Sequence, residues 1–599
     1  MSVRSWRPSA TRRARHIRLF ATRPAAPREW IAAALCGLAL ASHAQVRPSA
    51  SPAAAIEEGL RRQEERTREQ VRSGEPSASE LRPQAAPPTA RTLPVEQPCF
   101  VVEEVALTGT GSTRFRWLLD AAEPFLRHCV GVQGLGVIAS ELDRALREAG
   151  YATTRVALPA QNLRGRQLLV HVDVGRIGEV RMVDAQSPPL QEEPAWGTWH
   201  NAFPTSAGRV LNIQDLEQGV ENMNRLPSQS VTTRLEPGEQ PGTSDLIIER
   251  QAAPLSGRVR AGASLDNGGS HSLGRTQLAI NLALDNALGL SDIVSFNLNT
   301  NVEKLAADHR SQSAALNYSI PLGYSVLTLS ADQSRFVQTV QGTTARFLSS
   351  GRSESAQARL QHTLWRTSSS QFGLQAGLST RRAASFLDDT EILVQRRRTT
   401  TVETGASYKH VFEKSVLDLN IAYRRGMPWR RAQADLEGAQ EGGPTLRPRI
   451  WTLAAGLQHD FTWGERRWRF SPAFNAQHTT DTTLSIDQIA IGGRSSVRGF
   501  DGAAVLLAEN GYLLRNELTT SMPVVAGMDT ILVLALDHGR VWGPSDVYLV
   551  GNSLSGAAVG VRGRRESLQF EVMLAIPVHK PDGFATRRVN PYLRLSLSF

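Results

Sequence analysis

Nowhere in the 599 residues is there a run of 18 or more apolar residues, which excludes a protein held in a bilayer by helices. Cysteine is scarce, with only Cys36, Cys99 and Cys129, and the 13 histidines are scattered, so no group has the spacing a metal ion needs. The chain also lacks a phosphate-cradling G-x-x-x-x-G-K-[ST], a G-x-S-x-G elbow and an H-E-x-x-H helix; Gly131, Gly134 and Gly136 are wrongly spaced for a dinucleotide turn. No catalytic residue, metal ligand or cofactor-binding residue is therefore nominated, no cofactor is expected, and the chain does not read as an enzyme. Any membrane role must come from strands.

Positive charge is crowded at the start. Residues 1–29 hold eight arginines against one acid, Glu29, and an apolar run from Trp30 to Ala41 follows. At about a dozen residues that run is too short to span a bilayer. With Ser42, His43 and Ala44 behind it, the stretch 1–44 reads as a secretory signal removed after about Ala44. Its removal would lower the formal net charge from +10 to about +3, and no later segment interleaves basic and aromatic residues as a nucleic-acid face would. Nucleic acid is not an expected partner. The exported chain would keep Cys99 and Cys129, an even pair that in an oxidising compartment reads as a disulfide, with two buried thiols as the alternative.

Residues 45–72 contain a polar helix. Over 52–72 it has few apolar residues but pairs Glu57 with Arg61, Glu58 with Arg62 and Glu64 with Arg68 at i,i+4, so it lacks a core face. Such a helix suits bulk water or a water-filled, polar-walled lumen, which makes it a candidate barrel plug. Residues 73–96, rich in Ser, Pro and Ala, read as a flexible linker. Two small α/β units follow, at 97–175 and 176–252. The first has a helix with Leu135, Ile138, Leu142, Ala145 and Leu146 on one face, stopped by Gly150; the second has Ile213, Leu216, Val220 and Met223 at the same periodicity.

From 253 to 599 a period of two dominates. Val259, Ala261, Ala263 and Leu265 alternate with Arg258, Arg260, Gly262 and Ser264; Leu278, Ile280, Leu282 and Leu284 alternate with Gln277, Ala279, Asn281 and Ala283. At roughly 20 residues per strand and loop, this length gives on the order of 16 strands, an even number as a single-chain transmembrane antiparallel β-barrel requires. The fold class is thus mostly β. The final strand, Tyr592 to Phe599, has Leu593, Leu595, Leu597 and Phe599 on one face and Arg594, Ser596 and Ser598 on the other, and its edge would aggregate unless the barrel closes over it.

Within this region lies Gly492 to Phe500, GGRSSVRGF. Together with Gly150, Tyr151, Thr153, Thr154 and Arg155, then Asn224, Arg225, Leu226 and Pro227, and the later Pro241 to Leu246, it resembles the two-partner secretion outer-membrane transporters, the TpsB-type haemolysin secretion/activation proteins of the POTRA-plus-barrel superfamily. The resemblance implies two POTRA domains and an inward-folded loop in which Val497, Arg498, Gly499 and Phe500 enter the barrel, with Arg498 anchored on Asp537. Cys99 and Cys129 fall where many members carry a cysteine pair, and Tyr592 and Phe599 match the terminal signal read by the barrel assembly machinery. It further implies residence in the outer membrane among its lipids, POTRA domains in the periplasm, a monomer, and export without ATP of an unfolded exoprotein of adhesin or haemolysin type that carries an N-terminal secretion domain. One departure is the stretch 184–208, with Trp196 and Trp199, which is longer than the family leads one to expect. The alternatives are a barrel assembly factor, which shares the plan, and a passive diffusion porin, which needs neither POTRA domains nor the linker.

Overall fold

A computed structural model describes residues 92–184, 196–270, 273–303, 309–341, 345–525 and 527–599. The expected signal, the polar helix, the linker up to residue 91 and residues 185–195 of the long stretch lie outside the described residues.

The last residues assigned to the linker belong to the first module. Leu93 packs on its core, and the Glu96 carboxylate accepts from the backbone N–H groups of Gln133 (2.8 Å) and Gly134 (2.6 Å) at the start of helix Val132–Glu148, so the linker ends sooner than expected. These free N–H groups and the helix dipole both favour an anion there. Cys99 and Cys129 are bonded, with Cα atoms 5.3 Å apart, and tie the pair Phe100–Val101 and Cys129–Val130 together. In the module's sheet the central strand Gln167–Asp173 runs parallel to Glu104–Thr108 and antiparallel to Arg155–Ala157. The sheet buries Leu168, Val170 and Val172 against Ile138, Leu142 and Leu146 of the helix. The second module repeats the plan: Thr243–Ala252 lies between Arg176–Asp184, parallel, and Gln229–Pro237, antiparallel, beneath helix Ile213–Asn224.

Sixteen spanning strands then close a barrel. They are β1 Val259–Asp266, β2 Gln277–Asp285, β3 Ile293–Asn301, β4 Arg310–Leu322, β5 Ser325–Gln341, β6 Arg346–Arg366, β7 Ser370–Leu387, β8 Arg397–Val411, β9 Ser415–Gly426, β10 Arg449–Trp463, β11 Arg466–Thr479, β12 Asn510–Val525, β13 Met528–Trp542, β14 Ser553–Arg565, β15 Leu568–His579 and β16 Asn590–Ser598. Every pairing is antiparallel, and β16 closes on β1 from Arg594 opposite Asp266 to Ser598 opposite Gly262. Phe599 and Ala261 extend the seam by exchanging backbone hydrogen bonds of 2.8 and 3.1 Å.

Alternation sets the two faces. Leu265, Ile280, Leu282, Leu298, Leu316, Leu329, Leu360, Leu453, Leu536 and Leu595 are all left exposed on the outer wall, where only lipid removes them from water. No described helix is long and apolar enough to cross a membrane; the crossing is by strands. The short connections β2–β3, β4–β5 and β6–β7 meet the second module, which defines one mouth of the barrel.

Candidate functional site

The connection between β11 and β12, residues 480–509, starts at the far rim and folds back into the lumen, with a small hairpin of Ile489–Ile491 and Leu506–Ala508. Its tip reaches the inner wall. Ile491, Val497, Phe500, Leu506 and Ala508 pack with Leu513, Val541, Leu554 and Phe584 into a dry cluster, and Phe500 meets Phe584 edge-on at 5.6 Å. At Gly499, φ is +117°, and a Cβ there would sit 2.4 Å from the Ile576 carbonyl oxygen, so only glycine fits the tip. The wall yields as well: a Cβ on Gly556 would lie 1.7 Å from the Arg498 carbonyl oxygen.

Arg498 and Asp537, both almost wholly buried, form a bidentate pair. Nε donates to Oδ2 at 2.7 Å and Nη2 to Oδ1 at 2.8 Å, while the Arg498 backbone N–H donates to Oδ2 at 2.9 Å. Nη1 donates to Glu517 at 2.8 Å, and Nη2 also donates to the Asn516 carbonyl at 3.2 Å. That carboxylate also receives Arg562, which in turn binds Glu571, and Glu571 receives Arg494 from the loop. Two loop arginines are therefore joined through four wall residues on β12, β13, β14 and β15. With Arg515 3.9 Å from Asp537, four cations meet three anions, so the burial costs of the charges are largely offset within one network. Beside it, the Tyr592 hydroxyl accepts from Gly499 N–H (3.1 Å) and donates to the Phe500 carbonyl (2.8 Å), and Asn590 Nδ2 donates to the Gly499 carbonyl at 2.6 Å. Tyr592 thus faces the lumen, opposite the outward leucines of β16, and holds the loop. Phe599 is exposed at the strand end.

The other motif residues serve the joints between bodies. Gly150 ends its helix and its carbonyl accepts from Ile213 N–H (2.9 Å), while buried Thr154 accepts from Gly175 N–H (3.2 Å). Thr153 packs against Gly175, Tyr151 packs edge-on against Phe115 at 4.9 Å, and Arg155 opens an edge strand. Gly150 and Thr154 thus sit at the junction between the modules. Asn224 pairs with both backbone groups of Val231 (2.7 and 3.1 Å), Leu226 is buried, Pro227 is exposed in the turn, and Arg225 donates to Ser319 of β4.

Around that last contact the second module grips the barrel mouth. Arg366, 2% exposed, donates to Gln218 (2.8 Å) and Glu221 (2.9 Å) on helix Ile213–Asn224; Asn222 donates to the Gly323 carbonyl at 2.7 Å. Tyr324 donates to Asp215, whose carboxyl is pushed up by burial against the opposing effect of that bond. The long stretch contributes too: Trp196 Nε1 donates to the Asn286 carbonyl (3.0 Å), and Asn201 donates to those of Leu290 (2.7 Å) and Pro321 (2.9 Å). The helix faces a cavity of about 530 Å³ inside the mouth, lined on the barrel side by residues such as Gln361, Gln371, Asn420 and Asn475.

Sequence reasoning named Arg498 and Asp537 but missed Arg494, Glu517, Arg562 and Glu571. Each is one charge on an alternating strand or in a loop. The only available signal is that Glu517, Arg562 and Glu571 place charges at inward positions of alternating strands.

Comparison with known proteins gives three family matches. Residues 242–563 match haemolysin secretion/activation protein ShlB/FhaC/HecB, residues 176–237 a POTRA domain and residues 100–175 a POTRA domain of ShlB type. The chain is 35% identical over 540 residues to the outer membrane transporter CdiB-2 of Burkholderia pseudomallei, covering 86% of this chain and 89% of that protein. It is 26% identical to the hemolysin transporter protein ShlB of Serratia marcescens, covering 76% and 78%. Among solved structures, CdiB from Escherichia coli superimposes with a TM-score of 0.76 at 28% identity, over 93% of this chain and 100% of that one.

Proposed function

The chain belongs to the ShlB/FhaC/HecB family of haemolysin secretion/activation proteins, and on that premise we propose how its parts divide the work of export. It is an outer-membrane transporter of two-partner secretion whose POTRA domains lie in the periplasm and whose barrel exports an exoprotein partner. In our reading the POTRA sheet edges receive an extended segment of the unfolded client by β-augmentation, which supplies main-chain hydrogen bonds without demanding a fixed sequence. The segment then enters the mouth beside helix Ile213–Asn224.

The observation that carries this reading is the inward loop, anchored through Arg498 at one side of a closed lumen whose mouth is gripped by the second module. A fixed loop leaves the rest of the lumen as the route. We propose the polar stretch 45–72, which lies outside the described residues, as the plug of that route, since its charged side chains would cost little in a wet, polar space; it would leave when the client arrives. Export draws on client binding and on folding outside, with no chemistry by the transporter, which works as a monomer among outer-membrane lipids after insertion by the barrel assembly machinery through its terminal strand. The test is secretion of a candidate exoprotein by cells carrying the parent or Arg498→Ala, with outer-membrane levels of both measured in parallel. Loss of secretion from a normally inserted variant supports the reading; retained secretion returns the loop to a purely structural role. Deleting residues 52–72 is expected to raise ion conductance, and unchanged conductance would remove that helix from the lumen.

A further inference from the structure

The outer wall carries a charged feature that neither the loop network nor the module contacts use. On six consecutive strands, β5 to β10, the outward residue near the far rim is an arginine: Arg335, Arg352, Arg382, Arg398, Arg425 and Arg449. Register makes them three direct cross-strand pairs, Arg335 opposite Arg352, Arg382 opposite Arg398, and Arg425 opposite Arg449. Directly opposed residues have Cα atoms roughly 5 Å apart, and like charges so placed oppose strand pairing.

Nearby acids answer only part of this charge. Asp481 accepts from Arg449 at 2.6 and 3.1 Å and also feels Arg425; Glu391 is taken by Arg396 and feels Arg352. Glu354 stands opposite Arg382 in register, yet Arg335, Arg382 and Arg398 have no ion-pair partner among the described residues. Immediately below Arg425 and Arg449 on the same face come Tyr423 and Trp451, ring centroids 4.8 Å apart, and then Ile421, Leu419 and Leu453 of the apolar belt. Aromatic rings mark the membrane interface, so the arginines stand at the level of lipid headgroups. At the corresponding rim of β1 to β3 the outward residues are Leu265, Leu278 and Thr300, none charged; on β4 the uncharged Gln312 stands opposite Arg335, with Arg310 one outward position nearer the rim.

We propose that this arginine rim is a binding site for the phosphate groups of outer-leaflet lipid. A guanidinium matches phosphate with two parallel N–H donors, and two guanidinia held side by side share one dianionic group, which turns an unfavourable pair into a favourable one. Continuity with the apolar belt favours a phosphate attached to acyl chains over a free anion. The binding would fix one side of the barrel, β5 to β10, against the leaflet.

The experiment uses the full chain folded in uncharged detergent, with diphosphoryl lipid A, phosphatidylcholine or inorganic phosphate added at matched phosphate concentration, reading the unfolding temperature and the apparent Kd. Diphosphoryl lipid A is expected to raise the unfolding temperature where the other two do not. Arg382→Gln/Arg398→Gln is expected to weaken lipid A binding roughly tenfold or more, at about one decade or less per arginine, with Arg540→Gln on β13 unchanged. In detergent alone the double variant is expected to be at least as stable as the parent, because a like-charge pair has gone. Equal binding by variant and parent, or equal stabilisation by inorganic phosphate, overturns the proposal. So does a double variant already weaker than the parent without lipid. Arg335→Gln/Arg352→Gln serves as the second variant should the first fail to fold.

Discussion

Two walls of the same lumen are built differently. On β2, β3 and β4 the inward residues between Asp285 and the far rim are small and uncharged: Ala279, Asn281 and Ala283, then Ser295, Asn297 and Asn299, then Ser313, Ala315, Asn317 and Ser319. On β12 to β15 the inward positions carry Arg515, Glu517, Asp537, Arg562 and Glu571, and the loop is fastened to them. Buried, mutually satisfied charges fix geometry because each lost partner leaves another unpaired. A Ser/Asn wall in water makes weak hydrogen bonds that any backbone can exchange. The difference separates an anchoring wall from one along which a chain of arbitrary sequence can slide.

The largest expected effect follows from breaking the anchor. Arg498→Ala strands Asp537 and half of Glu517, at about 3–5 kcal/mol for a buried pair, so hydrogen exchange of the Val497–Phe500 amides should rise by several orders of magnitude. Unchanged protection would mean that the dry cluster around Phe500 holds the loop without the ion pair. Gly556→Ala attacks the same contact from the wall. Its Cβ overlaps the Arg498 carbonyl, and an overpacking cost of about 1–3 kcal/mol is expected, read as faster loop exchange with the barrel still inserted. Tyr592→Phe removes only the hydroxyl shared by Gly499 and Phe500, at about 1–2 kcal/mol; normal loop protection in this variant would leave Tyr592 with no part in the anchor.

How much of this contrast could be read from the chain depends on range. The alternation of Leu278 to Leu284 against Gln277 to Ala283 is local, and it set both the face polarity and the strand count, since period two and turn spacing are carried by neighbouring residues. Helix Val132–Glu148 and its stop at Gly150 were legible for the same reason. Arg498 and Asp537 came from resemblance. Glu517, Arg562 and Glu571 come together only through the register of β12 with β13, β13 with β14 and β14 with β15, which no local pattern encodes. The role of Trp196 and Asn201 was equally hidden, because their partners are carbonyls of connections 89 or more residues away.

The smallest energetic effect is expected on the neutral wall, and it offers the sharpest functional test of the contrast. Asn297→Cys changes a side chain that faces water in the lumen, and should alter barrel stability by no more than about 0.5 kcal/mol. With Cys99 and Cys129 already bonded to each other, and Cys36 inside the expected signal, the new thiol would be the free one in the exported transporter. A client carrying one cysteine and stalled during export should then crosslink at Asn297→Cys, whereas Ala535→Cys, inward on β13 and buried behind the loop network, should remain unlinked. Equal crosslinking at both positions would mean that the loop leaves its wall during export, and the anchored side would then be part of the route.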